Sequence, residues 1–137
     1  MSPPPVRGQA AGLLLGAAIG GVLAFLTEEV ARAAAANLLT LIAAIYLGFG
    51  LASGKPEKVL VQGLGAGAFF ALAVLGLWLS TWWIVAGLVL HGLWDLGHHG
   101  REGAVREIPE AYPLFCAFFD WGLALGLVLR IGPLPAW

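Results

Sequence analysis

The 137-residue chain is 60% hydrophobic and only 11% charged, with a net charge of −1 and a mean hydropathy of +0.89. A soluble domain carries about 25% charged residues, so this chain lacks the polar surface to cover itself in water, and an all-α integral membrane bundle is expected. No basic patch with interleaved aromatics is present, which argues against nucleic acid as a partner. The single cysteine, Cys116, excludes an intramolecular disulfide and any Cys-rich zinc or iron–sulfur centre.

A membrane span needs about 20 apolar residues to cross roughly 30 Å of hydrocarbon. Residues 8–27 carry no charge and predict the first helix, closed by Glu28, Glu29 and Arg32. The segment after Leu26 is a poor cleavage site, so this first run is read as a retained helix and not a signal peptide. Residues 33–53 predict the second helix, and Gly54 and Pro56 break the chain in the turn that ends at Lys58. Residues 59–94 contain no Asp, Glu, Lys or Arg, and at 36 residues they are too long for one span. A break is expected near residues 76–81, where Trp78, Trp82 and Trp83 suggest an interfacial belt. The third helix is then 59–79 and the fourth 81–99. Residues 100–110 form a charged loop, and Pro109 and Pro113 bracket the start of a fifth helix at 111–129. The whole chain, 1–137, reads as one transmembrane domain without internal repeats.

Five spans put Arg7, Lys55, Lys58, Arg101 and Arg106 on one side and only Arg32 and Arg130 on the other. The positive-inside rule predicts a multi-pass protein of the inner (plasma) membrane, with the N-terminus cytoplasmic and the C-terminus outside. Small-residue faces at Gly12, Gly16 and Gly20, and at Gly63 and Gly67, suit either self-association into a homo-oligomer or packing inside one monomer.

The fourth predicted helix ends in His91-Gly-Leu-Trp-Asp-Leu-Gly-His-His99, which holds all three histidines of the chain. At ~100° per residue, His91, Asp95, His98 and His99 fall within an arc of roughly 100°. Ionisable groups at membrane depth are costly and mark functional sites. Imidazole with carboxylate is the ligand set of a divalent transition metal such as Zn, Fe or Mn. One helix rarely encloses an ion, so a further ligand is expected from a neighbour. Asp120 is the candidate, since helices four and five are consecutive and antiparallel. The candidate metal ligands are therefore His91, Asp95, His98, His99 and Asp120. His99 and Glu57, the latter in the turn on the same membrane side, are the candidates for a catalytic base.

A structural reading stands beside this one. Asp95 and Asp120 can hydrogen-bond a histidine or the indoles of Trp94 and Trp121, and His98 and His99 can snorkel from a helix end. Cys116 reads as a small packing residue, and Tyr46 and Tyr112 as interfacial residues.

These residues resemble a family of small, uncharacterised bacterial integral-membrane proteins. The shared pattern is His91, Trp94, Asp95, His98 and His99, then prolines, then Cys116 and Asp120, with an upstream Tyr46 and an acidic residue like Glu57. The likeness covers the second half well and implies no particular activity. A weaker resemblance links the histidine stretch to membrane di-iron enzymes of the histidine-box type. Those have about eight histidines against three here, with Asp95 standing where a box histidine would be. The leading expectation is a metal-dependent enzyme acting on a lipid or another hydrophobic small molecule from within the bilayer. A proton or metal-ion carrier, and a haem-binding or structural protein with His91 as axial ligand, are the alternatives.

Overall fold

The computed structural model describes residues 5–99 and 107–131. It is a bundle of five helices: α1 (Pro5–Leu23), α2 (Glu28–Ala52), α3 (Pro56–Trp78), α4 (Trp82–His98) and α5 (Tyr112–Ile131). No strand occurs among the described residues. Arg101 and Arg106, which entered the charge count above, lie outside the described residues.

The number and order of the helices follow the sequence pattern, but the first boundary does not. Glu28, Glu29 and Arg32 open α2; they do not close α1. The Thr27 hydroxyl caps α2 by accepting from the Val30 amide at 3.4 Å, and two acidic side chains in the first turn complement the positive helix end. Glu28 also pairs with Arg32 one turn on. α1 stops four residues early because a cation from elsewhere takes over its end. Arg130 of α5 donates to the carbonyls of Ala24 (3.4 Å) and Leu26 (2.9 Å), backbone oxygens that no helix satisfies.

The other turns follow local chemistry. Ser53 ends α2 by donating from its hydroxyl to the Gly50 carbonyl at 2.6 Å. Gly54 takes φ +65°, a left-handed conformation that suits glycine after a helix end. Pro56 then starts α3, where its missing N–H costs nothing. The apolar run from residue 59 onward breaks at Leu79–Thr81, within the predicted window. There Thr81 is buried and accepts from Arg32 Nε at 3.1 Å, tying the α3–α4 turn to the start of α2.

α2, α3, α4 and α5 pack in sequence order, with α2 also reaching α4, while α1 lies against α5. Gly12 faces Phe115, Gly16 faces Phe119, and Gly20 faces Gly126, so α1 and α5 run parallel. The glycine stripe of α1 is thus consumed inside the chain. By contrast, Gly67 of α3 has nothing near it.

Four helices are long and apolar enough to cross a membrane: α2, α3, α5 and residues 6–23 of α1. α4 has 17 residues, roughly 25 Å at 1.5 Å per residue, and carries the buried polar groups His91 and Asp95. Large apolar side chains point outward around the bundle, Phe25, Leu14, Leu64 and Leu129 among them, as a lipid-facing surface requires. The interior divides into two halves. Toward the Thr81 end it is filled by Leu39, Ile84, Leu88, Leu123 and Leu127. Toward the Lys55 end it holds the polar groups described next.

Candidate metal centre

Three fully buried side chains converge between α4 and α5: His91, Asp95 and Asp120. His91 and Asp95 sit one turn apart on α4, and the antiparallel pairing of α4 and α5 brings Asp120 to face them. His91 Nδ1 is 2.7 Å from Asp120 Oδ2 and 3.5 Å from Asp95 Oδ2. A carboxylate can only accept, so Nδ1 carries the hydrogen and donates to Asp120. In the neutral ring Nε2 then bears a lone pair.

What remains around this bond is a set of acceptors. His91 Nε2, both oxygens of Asp95 and Asp120 Oδ1 are buried without a hydrogen-bond partner. Two carboxylates face one imidazole, and no lysine or arginine belongs to the buried polar set among the described residues. Burying unpaired negative charge costs several kcal/mol. Protonation of the group or a bound cation would relieve that cost. One potential ligand atom from each of the three residues lies within 4.8 Å of the others, so the group could hold a metal ion. Donors about 2.0–2.1 Å from a tetrahedral ion stand roughly 3.3 Å apart, and the observed 2.7 and 3.5 Å bracket that spacing. An ion on Nδ1 would replace the proton shared with Asp120. Three protein ligands, one nitrogen and two oxygens, suit Zn, Fe or Mn and leave a position open.

Aromatic rings enclose the centre. Phe69 meets the His91 ring edge-on at 4.7 Å between centroids, and Tyr46 does so at 5.7 Å. The Tyr46 hydroxyl is turned toward Asp95 but closes no hydrogen bond. The structural reading of the sequence took Tyr46 for an interfacial residue, while the family resemblance put it in the shared pattern. It is 1% exposed and belongs to the wall of the centre. Gln62 was also overlooked, although its amide stands almost alone among the apolar residues of α3. That amide is buried beside the histidine stretch.

The other expected site residues lie elsewhere. His98 has both ring nitrogens engaged outside the cluster: Nδ1 donates to the Trp94 carbonyl at 2.8 Å, and Nε2 lies 2.8 Å from Gln62 Nε2. His99 is the exposed cap residue that ends α4, and Glu57 is exposed in the first turn of α3. Among the described residues neither joins the converging group. Cys116 is a free, buried thiol one turn before Asp120.

No curated protein and no solved structure is detectably similar to this chain. Residues 8–133, nearly the whole chain with every residue of the centre, match one family throughout, and the protein belongs to that family of unknown function, DUF6010.

Proposed function

We propose that this protein holds one divalent transition-metal ion, Zn, Fe or Mn, at His91, Asp95 and Asp120, and uses it to transform a lipid or another hydrophobic small molecule. One observation carries the reading: a fully buried site made of acceptor atoms, with two carboxylates to one imidazole. A cation there neutralises charge that the bundle itself leaves uncompensated. With three protein ligands, an ion retains a position for water or substrate, where it would supply Lewis acidity. The surrounding bundle is apolar, which selects apolar substrates. A through-carrier would need polar groups on both sides of the centre. The described interior between His91 and Thr81 is apolar over nine residues of α4, about 14 Å.

Elemental analysis of detergent-purified protein tests the metal. Wild type should contain close to one equivalent of Zn, Fe or Mn, and His91→Ala and Asp120→Ala should lose it. Wild-type protein that takes up no ion, even after add-back, would sink the proposal. Metal-loaded and chelated protein should then differ in turnover of a labelled lipid extract. Identical extracts from both would remove the enzymatic half of the reading and leave the metal.

A further inference from the structure

Beyond the three ligands, the buried polar atoms of the described interior are distributed unevenly. Gln62, His91, Asp95 and Asp120 are buried polar residues in the half toward the Lys55 end, and Tyr46 adds a buried hydroxyl there. Thr81, bonded to Arg32, is the buried polar residue of the other end. The polar groups of the Lys55 half form a ladder. At 1.5 Å per residue, His98 lies about 10 Å outward of His91 along α4, and Gln62 lies about 9 Å inside the start of α3. Tyr46 bridges the two levels: its ring is 4.9 Å from the His98 ring and 5.7 Å from the His91 ring, centroid to centroid.

The hydrogen bonds of this ladder are incomplete in a consistent way. Because His98 Nδ1 donates to a carbonyl, its Nε2 accepts from the Gln62 amide nitrogen. That leaves Gln62 Oε1 buried with no partner, and the Tyr46 hydroxyl is likewise unpartnered. Each such group is costly if it stays dry and unpaired. Gln62 Oε1, the Tyr46 hydroxyl, the Asp95 oxygens and His91 Nε2 thus run from the His98 level to the centre as atoms able to hold a water or a passing ion. No comparable series continues past His91, where Ile84, Leu88, Leu39, Leu123 and Leu127 close the interior.

We infer that the centre exchanges its ion with one side of the membrane only, past a polar gate formed by Gln62, His98 and Tyr46. This rests on the metal reading above and deepens it, since it assigns a route and a gate. Opening the gate means breaking the Gln62–His98 bond, which turns both side chains into transient partners for the ion. The ligands keep their places.

Proteoliposomes loaded with Zn2+ and treated with a membrane-impermeant chelator test this. An impermeant amine reagent reports which molecules present Lys55 and Lys58, the two lysines of the chain, outward. Chelator should strip metal from that fraction alone. Gln62→Leu and His98→Phe should slow release by about tenfold or more, the factor that corresponds to ~1.4 kcal/mol in a barrier. Thr81→Val, at the sealed end, should release at the wild-type rate. Retained metal content in each variant shows that it has folded. Metal lost from both orientations, or release unchanged in both gate variants, overturns the gate while the metal centre stands. Wild-type protein that binds no Zn2+ overturns the metal reading and this inference together.

Discussion

Asp95→Asn should stabilise the protein in chelator and lose most of the stabilisation that metal gives the wild type. Without a cation, one imidazole, once protonated at both nitrogens, can neutralise only one of the two buried carboxylates, and neither Asp95 oxygen has a hydrogen-bond partner. Asparagine keeps the shape and removes the charge, so the metal-free variant sheds part of a desolvation cost of several kcal/mol. With metal that advantage shrinks. An ion at a hundred times its Kd stabilises the wild type by about 2.7 kcal/mol. A variant bound a hundredfold more weakly keeps only about 0.4 kcal/mol of that at the same concentration. Thermal unfolding in detergent, with and without chelator, should therefore show metal stabilising the wild type by about 2.3 kcal/mol more than the variant. An equal gain from metal in the two proteins would make Asp95 a structural acceptor and count against a cation at this site.

The second large effect is expected far from the centre. A β-carbon on Gly16 would run into the backbone of Phe119 and Leu123, where neither side can yield by a rotamer change. Gly16→Val should push α1 off α5 at a cost of about 1–3 kcal/mol or more, the usual range for overpacking. Close approach of small-residue faces is what holds helices together where both lipid and protein are apolar. Gly21, five residues along the same helix, has nothing within 4 Å of where its β-carbon would stand. Gly21→Val should leave the unfolding temperature within a degree or two of wild type. Equal losses in the two variants would show that helix propensity, not the α1–α5 contact, sets the cost.

Much of this architecture was legible along the chain. Charge-free runs gave the helices, and the excess length of residues 59–94 required a break that falls at Leu79–Thr81. Thr27 with Glu28 and Glu29 was a start signal that reads equally as a stop when only charge is weighed. The i, i+4 spacing of His91 and Asp95, and the antiparallel neighbour carrying Asp120, placed three groups that the structure brings together. His98 shares their arc on a helical wheel, but it stands in the last residue of α4, where its ring folds back onto the Trp94 carbonyl. A wheel contains no helix ends. Tyr46 and Gln62 were hidden for another reason: their importance lies in which helices α2 and α3 touch, and no spacing within either helix encodes that. The destination of the α1 glycines was hidden likewise, since their partners lie about a hundred residues away in sequence.

α4, with 17 residues, is eight residues shorter than α2, a difference of about 12 Å. The Arg32–Thr81 bond fixes one end of α4 near the start of α2, so the shortfall gathers at the His98 end. There the last turn of α4 stops beside Tyr46, six residues before α2 finishes. Backbone carbonyls at a helix end do not rest in hydrocarbon. A leaflet matched to the full length of α2 would have to dip to meet them, and such local thinning costs fractions of a kcal/mol per Å. Lipid chain length thus becomes a variable of the protein: short acyl chains relax the dip and long ones strain it. A bilayer indented over the end of α4 would form the outer vestibule of the proposed gate.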